Sequence, residues 1–335
     1  MLRNTDYLAH LPRLKHLHEI TLRIPPGQAD LSLVAREERI SDLAISYEPA
    51  LDSLSPLSSL AGLKRLSILA AGIRDLGGIS GCLALEEVIL RKCASLNSLK
   101  GLEGKRLQVF EARECPRIAD VSELGASSLV SLNLAATGVR DLDSLAGTPS
   151  LLALDITGTP IISLDFLAQA PSLRRLRAAL TTIDVEKLER LNIAHGLDYL
   201  EISPTRGVSD LGFLPPGLTT LLLFPSEDLR SLAGIEQCRQ LTSLTIVGAA
   251  RLSDVGGLLS LENLGDLTLF DCPEIRNLTG IENLHNLSHL RLSKVPHLDQ
   301  SVKLTQGCLL HIIDPGQSKP GAKGSVSPSR MDARP

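Results

Sequence analysis

The stretch Leu129-Val-Ser-Leu132-Asn-Leu134 decides the fold, because its spacing of aliphatic residues returns along almost the whole chain. A fixed short period of this kind indicates a solenoid, in which each coil contacts only its neighbours. A degenerate fourteenth copy begins at Leu309 and ends at Asp314. The thirteen regular copies of L-x-x-L-x-L are 21 to 24 residues apart and begin at Leu17, Ile40, Leu63, Leu85, Leu107, Leu129, Leu151, Leu173, Leu197, Leu218, Leu241, Leu264 and Leu287.

The spacing inside each copy predicts its local structure. The period of two in L-x-L predicts a short strand with one buried and one open face. The apolar residues that follow, such as Val139, Leu142 and Leu145, are spaced by three, which suits a turn of 3₁₀ helix. Strands of successive coils should pair in parallel about 4.8 Å apart. We therefore predict a curved α/β solenoid with a parallel β-sheet on its concave side and 3₁₀ or short helical turns on its convex side.

The repeats resemble the leucine-rich repeats, of roughly 22 residues, found in internalins and in phosphatase-regulatory proteins. Those units read L-x-x-L-x-L-x-x-N-x-I-x-D-I/L-x-x-L, and the resemblance extends over residues 8–313. It implies a right-handed coil that binds other proteins. The family's buried Asn, which bonds backbone groups between coils, is replaced here. Its position holds Ala71, Cys93, Cys115, Thr137, Thr159, Thr181, Thr205, Ser226, Ala249 and Cys272.

Most of these replacements can still form a hydrogen bond. Thr and Ser donate through a hydroxyl, and Cys donates weakly. Ala71 and Ala249 cannot, so we predict that they mark weaker turns.

The chain divides into three predicted parts. Residues 1–16 form an N-terminal cap or half repeat, and residues 17–314 form the solenoid. Residues 315–335, rich in Pro, Gly, Ser and basic residues, form a disordered tail.

Two coils depart from the regular pattern. Asp184 is a good N-cap, and the apolar spacing from there to Leu191 predicts an α-helix that ends before Gly196. The next coil is the shortest, and its prolines are predicted to kink the solenoid: Pro204, Pro215 and Pro216.

Composition excludes several classes of function. A net charge of −4 and a pI near 6.1 argue against binding of nucleic acid. Residues 1–20 contain no apolar run of the kind found in a signal peptide, and no stretch is long enough to span a membrane. Five of the six cysteines fall at repeat positions that are expected to be buried, which favours free core thiols over disulfides. We therefore expect a cytoplasmic protein, although Cys93 and Cys115 should be stacked neighbours.

No pattern in the sequence predicts catalysis, a cofactor or a metal ion. The segment from Gly101 to Arg106 lacks the glycine spacing and hydroxyl residue of a phosphate-binding loop, and His285 and His289 do not share one helix face. One turn position holds Asp75, Asp120, Asp141, Asp210 and Asp254. Capping of the following turn is a better interpretation of these residues than a cation-binding edge. We expect no enzyme activity.

The open face of the sheet is formed by the third, fifth and seventh residues of each copy. In the first half these are mixed charges, including Arg91, Glu111, Arg113, Arg175 and Arg177. A solvated sheet face with weak cross-strand pairs explains such charges equally well.

The second half of the open face is apolar instead, with Tyr199, Leu222, Phe224, Val247 and Phe270. Phe224, Val247 and Phe270 hold the seventh position of three consecutive copies, where the repeat requires no hydrophobic residue. Contiguous exposed apolar surface is typical of an interface, and aromatic residues often anchor one. The alternatives are that the tail or a cap covers this column, or that strand propensity alone selected these residues.

The sequence therefore predicts an intracellular protein-binding module that acts through its concave face. The expected partner is another protein with an apolar patch and an acidic rim, bound by a monomer or in a 1:1 complex. An immunity or inhibitor protein is the first hypothesis for its role. A phosphatase-type regulatory subunit or scaffold, and an internalin-like surface adhesin, remain alternatives.

Overall fold

The computed structural model describes residues 20–24, 26–27, 31–125, 128–183, 185–194, 196–203, 207–299, 303–304 and 307–313. The predicted N-terminal cap and the predicted tail lie outside these residues, and so do Asp184, Pro204 and Thr205.

One parallel sheet of fourteen strands runs through the described residues. Each strand pairs with the strands before and after it in the chain, as a coil-by-coil solenoid requires. The fourteenth copy, which looks degenerate in the sequence, still adds a strand beside its predecessor. The strands are β1 (Ile20–Ile24), β2 (Ile40–Ser46), β3 (Arg65–Leu69), β4 (Glu87–Arg91), β5 (Val109–Arg113), β6 (Ser131–Asn133), β7 (Ala153–Asp155), β8 (Arg175–Ala178), β9 (Tyr199–Ile202), β10 (Thr220–Leu223), β11 (Ser243–Val247), β12 (Asp266–Phe270), β13 (His289–Ser293) and β14 (Leu309–Ile313).

The register is the same from β2 to β13, so equal repeat positions stack on one another there. Leu132 pairs with Leu154, and Leu154 pairs with Leu176. Strand β9 pairs with β8 and β10 in the same register although the irregular coils meet there. The kink predicted from the prolines stays a prediction. At the ends of the sheet the pairing is shifted by two repeat positions, since Leu22 pairs with Leu43 and His289 pairs with Leu309.

The other side of each coil is made of short turns, as the spacing by three predicts. The predicted α-helix is shorter than expected: α2 (Val185–Leu188) is one turn, and the chain continues as 3₁₀ helix over Glu189–Ile193. A second short helix is α1 (Leu31–Val34). The remaining 3₁₀ helices among the described residues are Ser55–Ser59, Gly77–Ile79, Ser122–Leu124, Asp143–Gly147, Asp165–Gln169, Ile235–Gln237, Gly256–Ser260 and Ile281–Asn283. The part of the chain that the structure describes holds no helix with the length and apolar character needed to cross a bilayer.

The core is a continuous aliphatic column between the sheet and the turns. The first, fourth and sixth residues of the regular copies from Ile40 onward are buried, for example Leu63, Leu66 and Ile68. Burying one such side chain contributes about 1.5–3 kcal/mol, and no coil could bury its leucines alone. Five cysteines are buried in this column, and all six are free thiols, as predicted. At the end of the sheet, Leu310 and Ile312 of β14 are exposed.

The ninth position of the repeat forms the hydrogen bonds that its residue types allow. The hydroxyls of Thr137, Thr159 and Thr181 each donate to the carbonyl oxygen three residues earlier, at 2.6 to 2.8 Å. These bonds lie within one coil, whereas the thiol of Cys115 also donates to the carbonyl of Leu90 in the preceding coil. The weaker turns predicted at Ala71 and Ala249 stay a prediction.

The aspartate position caps the following turn, as predicted, at four of its five members. The carboxylates of Asp75, Asp120, Asp210 and Asp254 each accept a hydrogen bond from the backbone N–H two residues later, at 2.9 to 3.2 Å. These bonds lower the pKa of Asp120 and of Asp254 below the usual aspartate value. The carboxylates therefore have a structural role in the turns.

Candidate functional site

The open face of the sheet alternates with the buried face along each strand. In β11 the side chains of Leu244 and Ile246 are buried, whereas those of Ser243, Thr245 and Val247 are partly exposed. The third, fifth and seventh positions therefore line an open surface, as predicted. This surface has a charged part, from β2 to β9, and an apolar part, from β10 to β12.

The seventh position provides the apolar column, which we define as Phe224, Val247 and Phe270. Val247 and Phe270 are register partners in β11 and β12. The N–H of Phe224 donates to the carbonyl of Ile202 at 2.9 Å, which continues the pairing of β10 by one residue. None of the three side chains enters the core, and Phe270 is 36% exposed.

The surroundings of the apolar column contain few charges. The third and fifth positions of β10 to β12 hold Leu222 and hydroxyl-bearing residues, apart from Asp266. Beyond Phe270, the ammonium of Lys294 lies 5.3 Å from the centre of the aromatic ring, within the range of a cation–π contact. The column is therefore an apolar patch with charged groups at its edge.

A partly buried ionic cluster adjoins this patch on the side of β9. Arg177 donates to the Glu201 carboxylate at 2.6 Å and lies 3.6 Å from the Asp155 carboxylate. The hydroxyl of Tyr199 donates to the same Glu201 oxygen at 3.2 Å, and Asn133 donates to Asp155 at 3.3 Å. The Glu201 side chain is only 6% exposed although it belongs to the open face.

Within this cluster the pKa values of the two titratable donors, Tyr199 and Arg177, are both raised. Burial, and then the negative charge of Glu201, raise the pKa of Tyr199 to about 12. Burial alone would lower the pKa of Arg177, but the hydrogen bond and charge of Glu201 outweigh it, so that the pKa is raised. Tyr199 and Arg177 therefore keep their protons at neutral pH, and their polar atoms are already bonded within the protein.

The predicted charged residues of the first half are partly paired in the same way. Arg91 forms two hydrogen bonds with Glu111, at 2.5 and 3.0 Å. Arg113 is the register partner of Arg91 on the next strand, and its ion pair with Glu114 is a long one, at 4.0 Å. Arg175 is exposed. Arg113 and Arg175 are thus more accessible to a partner than Arg91, Glu111 or Arg177.

Solved structures that match this chain over most of its length include three leucine-rich-repeat proteins. The internalin InlF of Listeria monocytogenes has a TM-score of 0.59 at 19% identity, covering 93% of this chain and 89% of its own. A leucine-rich-repeat protein of Leptospira interrogans has a TM-score of 0.60 at 17% identity, covering 89% and 90%. The functional domain of InlJ of L. monocytogenes, which includes a cysteine ladder, has a TM-score of 0.57 at 18% identity, covering 91% and 63%.

This chain has the leucine-rich-repeat fold. No family model matches the sequence, and no curated protein matches it.

The leucine-rich-repeat sheet brings Arg177, a residue predicted for the site, together with Asp155 and Glu201, which were not predicted. Asp155, Arg177 and Glu201 hold the fifth position of three consecutive coils and alternate in charge. That alternation was visible in the sequence and could have predicted the cluster. The burial of Glu201 could not have been, because its position is normally open. Among the described residues, no group of three or more His, Cys, Asp or Glu side chains could hold a metal ion.

The eighth position of the repeat is a second feature that spacing did not predict. Its residues leave the strand in the left-handed region in most described coils, with φ between 51° and 68°. Glycine at Gly158 and Gly248 suits this conformation, but eight other residues adopt it as well, including Tyr47, Lys92 and Leu180. Such a φ is unfavourable for a side chain as large as leucine. Leu180 is nevertheless 66% exposed, so that burial does not compensate for the strain.

Proposed function

We propose that this leucine-rich-repeat chain binds another protein on the open face of its sheet, with the apolar column as the anchor. The observation that carries the proposal is the exposure of Phe224, Val247 and Phe270 in consecutive coils. A partner that covers them removes apolar surface from water, at about 25 cal/mol per Å². Aromatic side chains are frequent among residues that dominate binding energy. The expected partner therefore presents an apolar patch of its own.

The edge of the proposed interface carries the accessible cations. Arg175, with Arg113 farther along the sheet, would face an acidic rim on the partner. Arg91, Glu111, Arg177 and Tyr199 belong to the same face, but their hydrogen bonds within the chain suit them to hold its shape. Rim charges of this kind mainly accelerate association and improve specificity.

The finer proposal is an intracellular inhibitor or immunity protein that blocks a partner enzyme by covering it. The fold supports this role because many short strands hold the anchors on a preformed surface, which reduces the entropy lost on binding. The free core thiols support a reducing compartment. We propose that the protein acts as a monomer in a 1:1 complex.

The deciding experiment is affinity capture from the native host with the wild type and the Phe224→Asp, Phe270→Asp variant. We expect the variant to lose the partner, because two carboxylates would be desolvated in the interface. The matched control is Leu83→Asp with Leu259→Asp, which places the same charges at exposed leucines outside the apolar column. Circular dichroism establishes that each variant is folded. Equal recovery of one partner by all three proteins would place the interface elsewhere.

The captured protein then tests the finer role. If it is an enzyme, its activity is measured with increasing amounts of the wild-type chain. We expect inhibition to reach completion at one equivalent. A changed substrate preference without inhibition would instead favour a regulatory subunit.

A further inference from the structure

The ends of the strands carry a longer uncharged surface than the apolar column alone. From the coil of β6 to that of β11, the described residues at the seventh and eighth positions include no charged side chain. They are Pro225, Leu180, Phe224 and Val247, together with small or hydroxyl-bearing residues, of which Ala135 and Ala179 are buried. Phe270 continues this surface into the coil of β12. We call it the strand-end band, and seven coils spaced about 4.8 Å give it a length of about 29 Å.

The band has different charges at its two ends. On the side of β4 and β5 it meets Arg91, Lys92 and Arg113, with Glu114 between them. Lys92 and Arg113 lie 3.9 and 4.0 Å from the Glu114 carboxylate, and all three side chains are about half exposed. Ion pairs of this length at the surface contribute little, so these cations can exchange Glu114 for a partner's carboxylate.

The opposite end of the band carries no excess charge. There the ammonium of Lys294 lies 4.0 Å from the carboxylate of Asp271, so one charge of each sign is present. The difference between the two ends defines a direction along the band, with its positive end at β4 and β5.

Leu180 indicates that the band is used for binding. The eighth position is left-handed in most described coils, and several of its large side chains are polar, such as those of Lys92 and Glu114. Leu180 is strained there in the same way, but its side chain is aliphatic and 66% exposed. Neither local conformation nor core packing accounts for a leucine at this place. Burial of Leu180 by a partner would account for it.

We infer that the strand-end band binds an amphipathic α-helix of the partner, with acidic residues at the helix C-terminal end lying over Lys92 and Arg113. One helical turn advances 5.4 Å, close to the spacing of the coils, so a helix along the band presents about one side chain to each coil. In an extended strand, the side chains on one face are about 6.6 Å apart, which differs more from the spacing of about 4.8 Å between coils. The negative end of the helix dipole also favours the basic end of the band. The inference rests on the proposed function and specifies the partner's binding element.

The test uses two labelled peptides of about 22 residues with a leucine face at helical spacing. One carries three glutamates in its last turn and the other three lysines. A third peptide has the composition of the first and two central prolines. Fluorescence anisotropy should show that the glutamate peptide binds the intact chain at least tenfold more tightly than either of the others. The Lys92→Glu, Arg113→Glu variant should reverse the preference for charge.

Leu180→Asp provides the control for position. This variant should fold, because Leu180 is exposed and aspartate tolerates the left-handed region better than leucine. It should weaken binding of the glutamate peptide at least tenfold. Equal binding of all three peptides, no binding at all, or no effect of Leu180→Asp would overturn the inference. The Phe224→Asp, Phe270→Asp variant could lose the native partner while the Leu180→Asp variant keeps it. That result would support the proposed function and show that the inference of a bound helix is wrong.

Discussion

Arg177 of β8 donates a 2.6 Å hydrogen bond to Glu201 of β9, across the point where the charged half of the open face meets the apolar half. Glu201 is almost completely buried, whereas Arg177 is 38% exposed. A buried carboxylate is strongly unfavourable unless it is paired. The pair therefore holds the border of the candidate interface in one arrangement, next to the apolar column.

Arg177→Met should lower the free energy of unfolding by about 2 kcal/mol, because it leaves Glu201 buried without its cation. The loss is smaller than for a fully buried pair, since Arg177 is 38% exposed and Tyr199 still donates to Glu201. Urea unfolding at pH 7, followed by circular dichroism, measures the change. The matched control is Arg175→Met, an exposed arginine on the same strand, which should change stability by less than about 0.5 kcal/mol. Equal losses of stability for the two variants would show that the Arg177–Glu201 pair contributes no more to folding than an exposed arginine does.

Leu180→Gly should raise the free energy of unfolding by about 1 kcal/mol while it weakens partner binding. Glycine adopts the left-handed conformation without the steric penalty that leucine has there. Glycine also makes the unfolded chain more flexible, so more entropy is lost on folding, but this opposing effect is smaller than the gain. Thermal unfolding and anisotropy measure the two effects. Leu83→Gly, at an exposed leucine outside the left-handed positions, should lower stability instead. A decrease for both variants would remove the evidence for strain at Leu180.

Stability should fall in acid partly through the turn aspartates. Hydrogen bonds from the N–H groups of Ser122 and Gly256 hold the pKa of Asp120 and of Asp254 below the value of 3.8 for an unperturbed aspartate. Since the folded pKa is the lower one, this contribution is complete above the pKa of the unfolded carboxyl and is lost as the pH falls through the folded pKa. The melting temperature should therefore change little between pH 7 and about pH 5 and decline below about pH 4.

Asp120→Asn with Asp254→Asn isolates that contribution. The double variant should melt below the wild type at pH 7, and the difference should shrink as the pH falls below the unperturbed aspartate pKa of 3.8 and through the lowered pKa of the folded carboxyls. Glu227→Gln is the control at an exposed carboxylate. A constant difference between double variant and wild type across this range would exclude the turn aspartates as the source.

The thiols of Cys82, Cys238 and Cys272 should remain unreactive in the folded protein. Burial raises the pKa of Cys82 and of Cys272 to about 11, and that of Cys238 to about 12, so their nucleophilic thiolates are scarce at neutral pH. Titration with a thiol reagent should modify Cys308, which is the least buried of the six, before Cys82, Cys238 and Cys272. Those three should react only after unfolding. Mass spectrometry of protein purified without reductant should find six thiols. A disulfide between Cys93 and Cys115 would contradict the predicted reducing compartment.

Repetition made most of the fold predictable. A misjudged residue in one copy is outweighed by the other copies, so the strands, their order and the buried positions followed from leucine spacing. The α-helix before Gly196 was predicted too long, because its apolar spacing does not specify where 3₁₀ geometry takes over. The fourteenth copy was undervalued because pairing with β13 stabilises a strand whose own pattern is weak.

The candidate site was predictable only in part. The repeat frame placed Phe224, Val247 and Phe270 on the open face, since side-chain direction follows from a period of two. It could not show which arginines are already bonded. Arg175 and Arg177 look alike in the sequence, yet one is exposed and the other lies between two carboxylates.

The sequence alone determined the repeat, the parallel sheet and the assignment of residues to the core or the open face, because these depend on spacing along one chain. Only the tertiary structure decided what happens between coils. Coil stacking buried Glu201, divided the arginines into paired and accessible ones, and held Leu180 in a strained turn. These outcomes depend on distances between residues more than twenty positions apart, which reflect how closely successive coils approach rather than any local pattern.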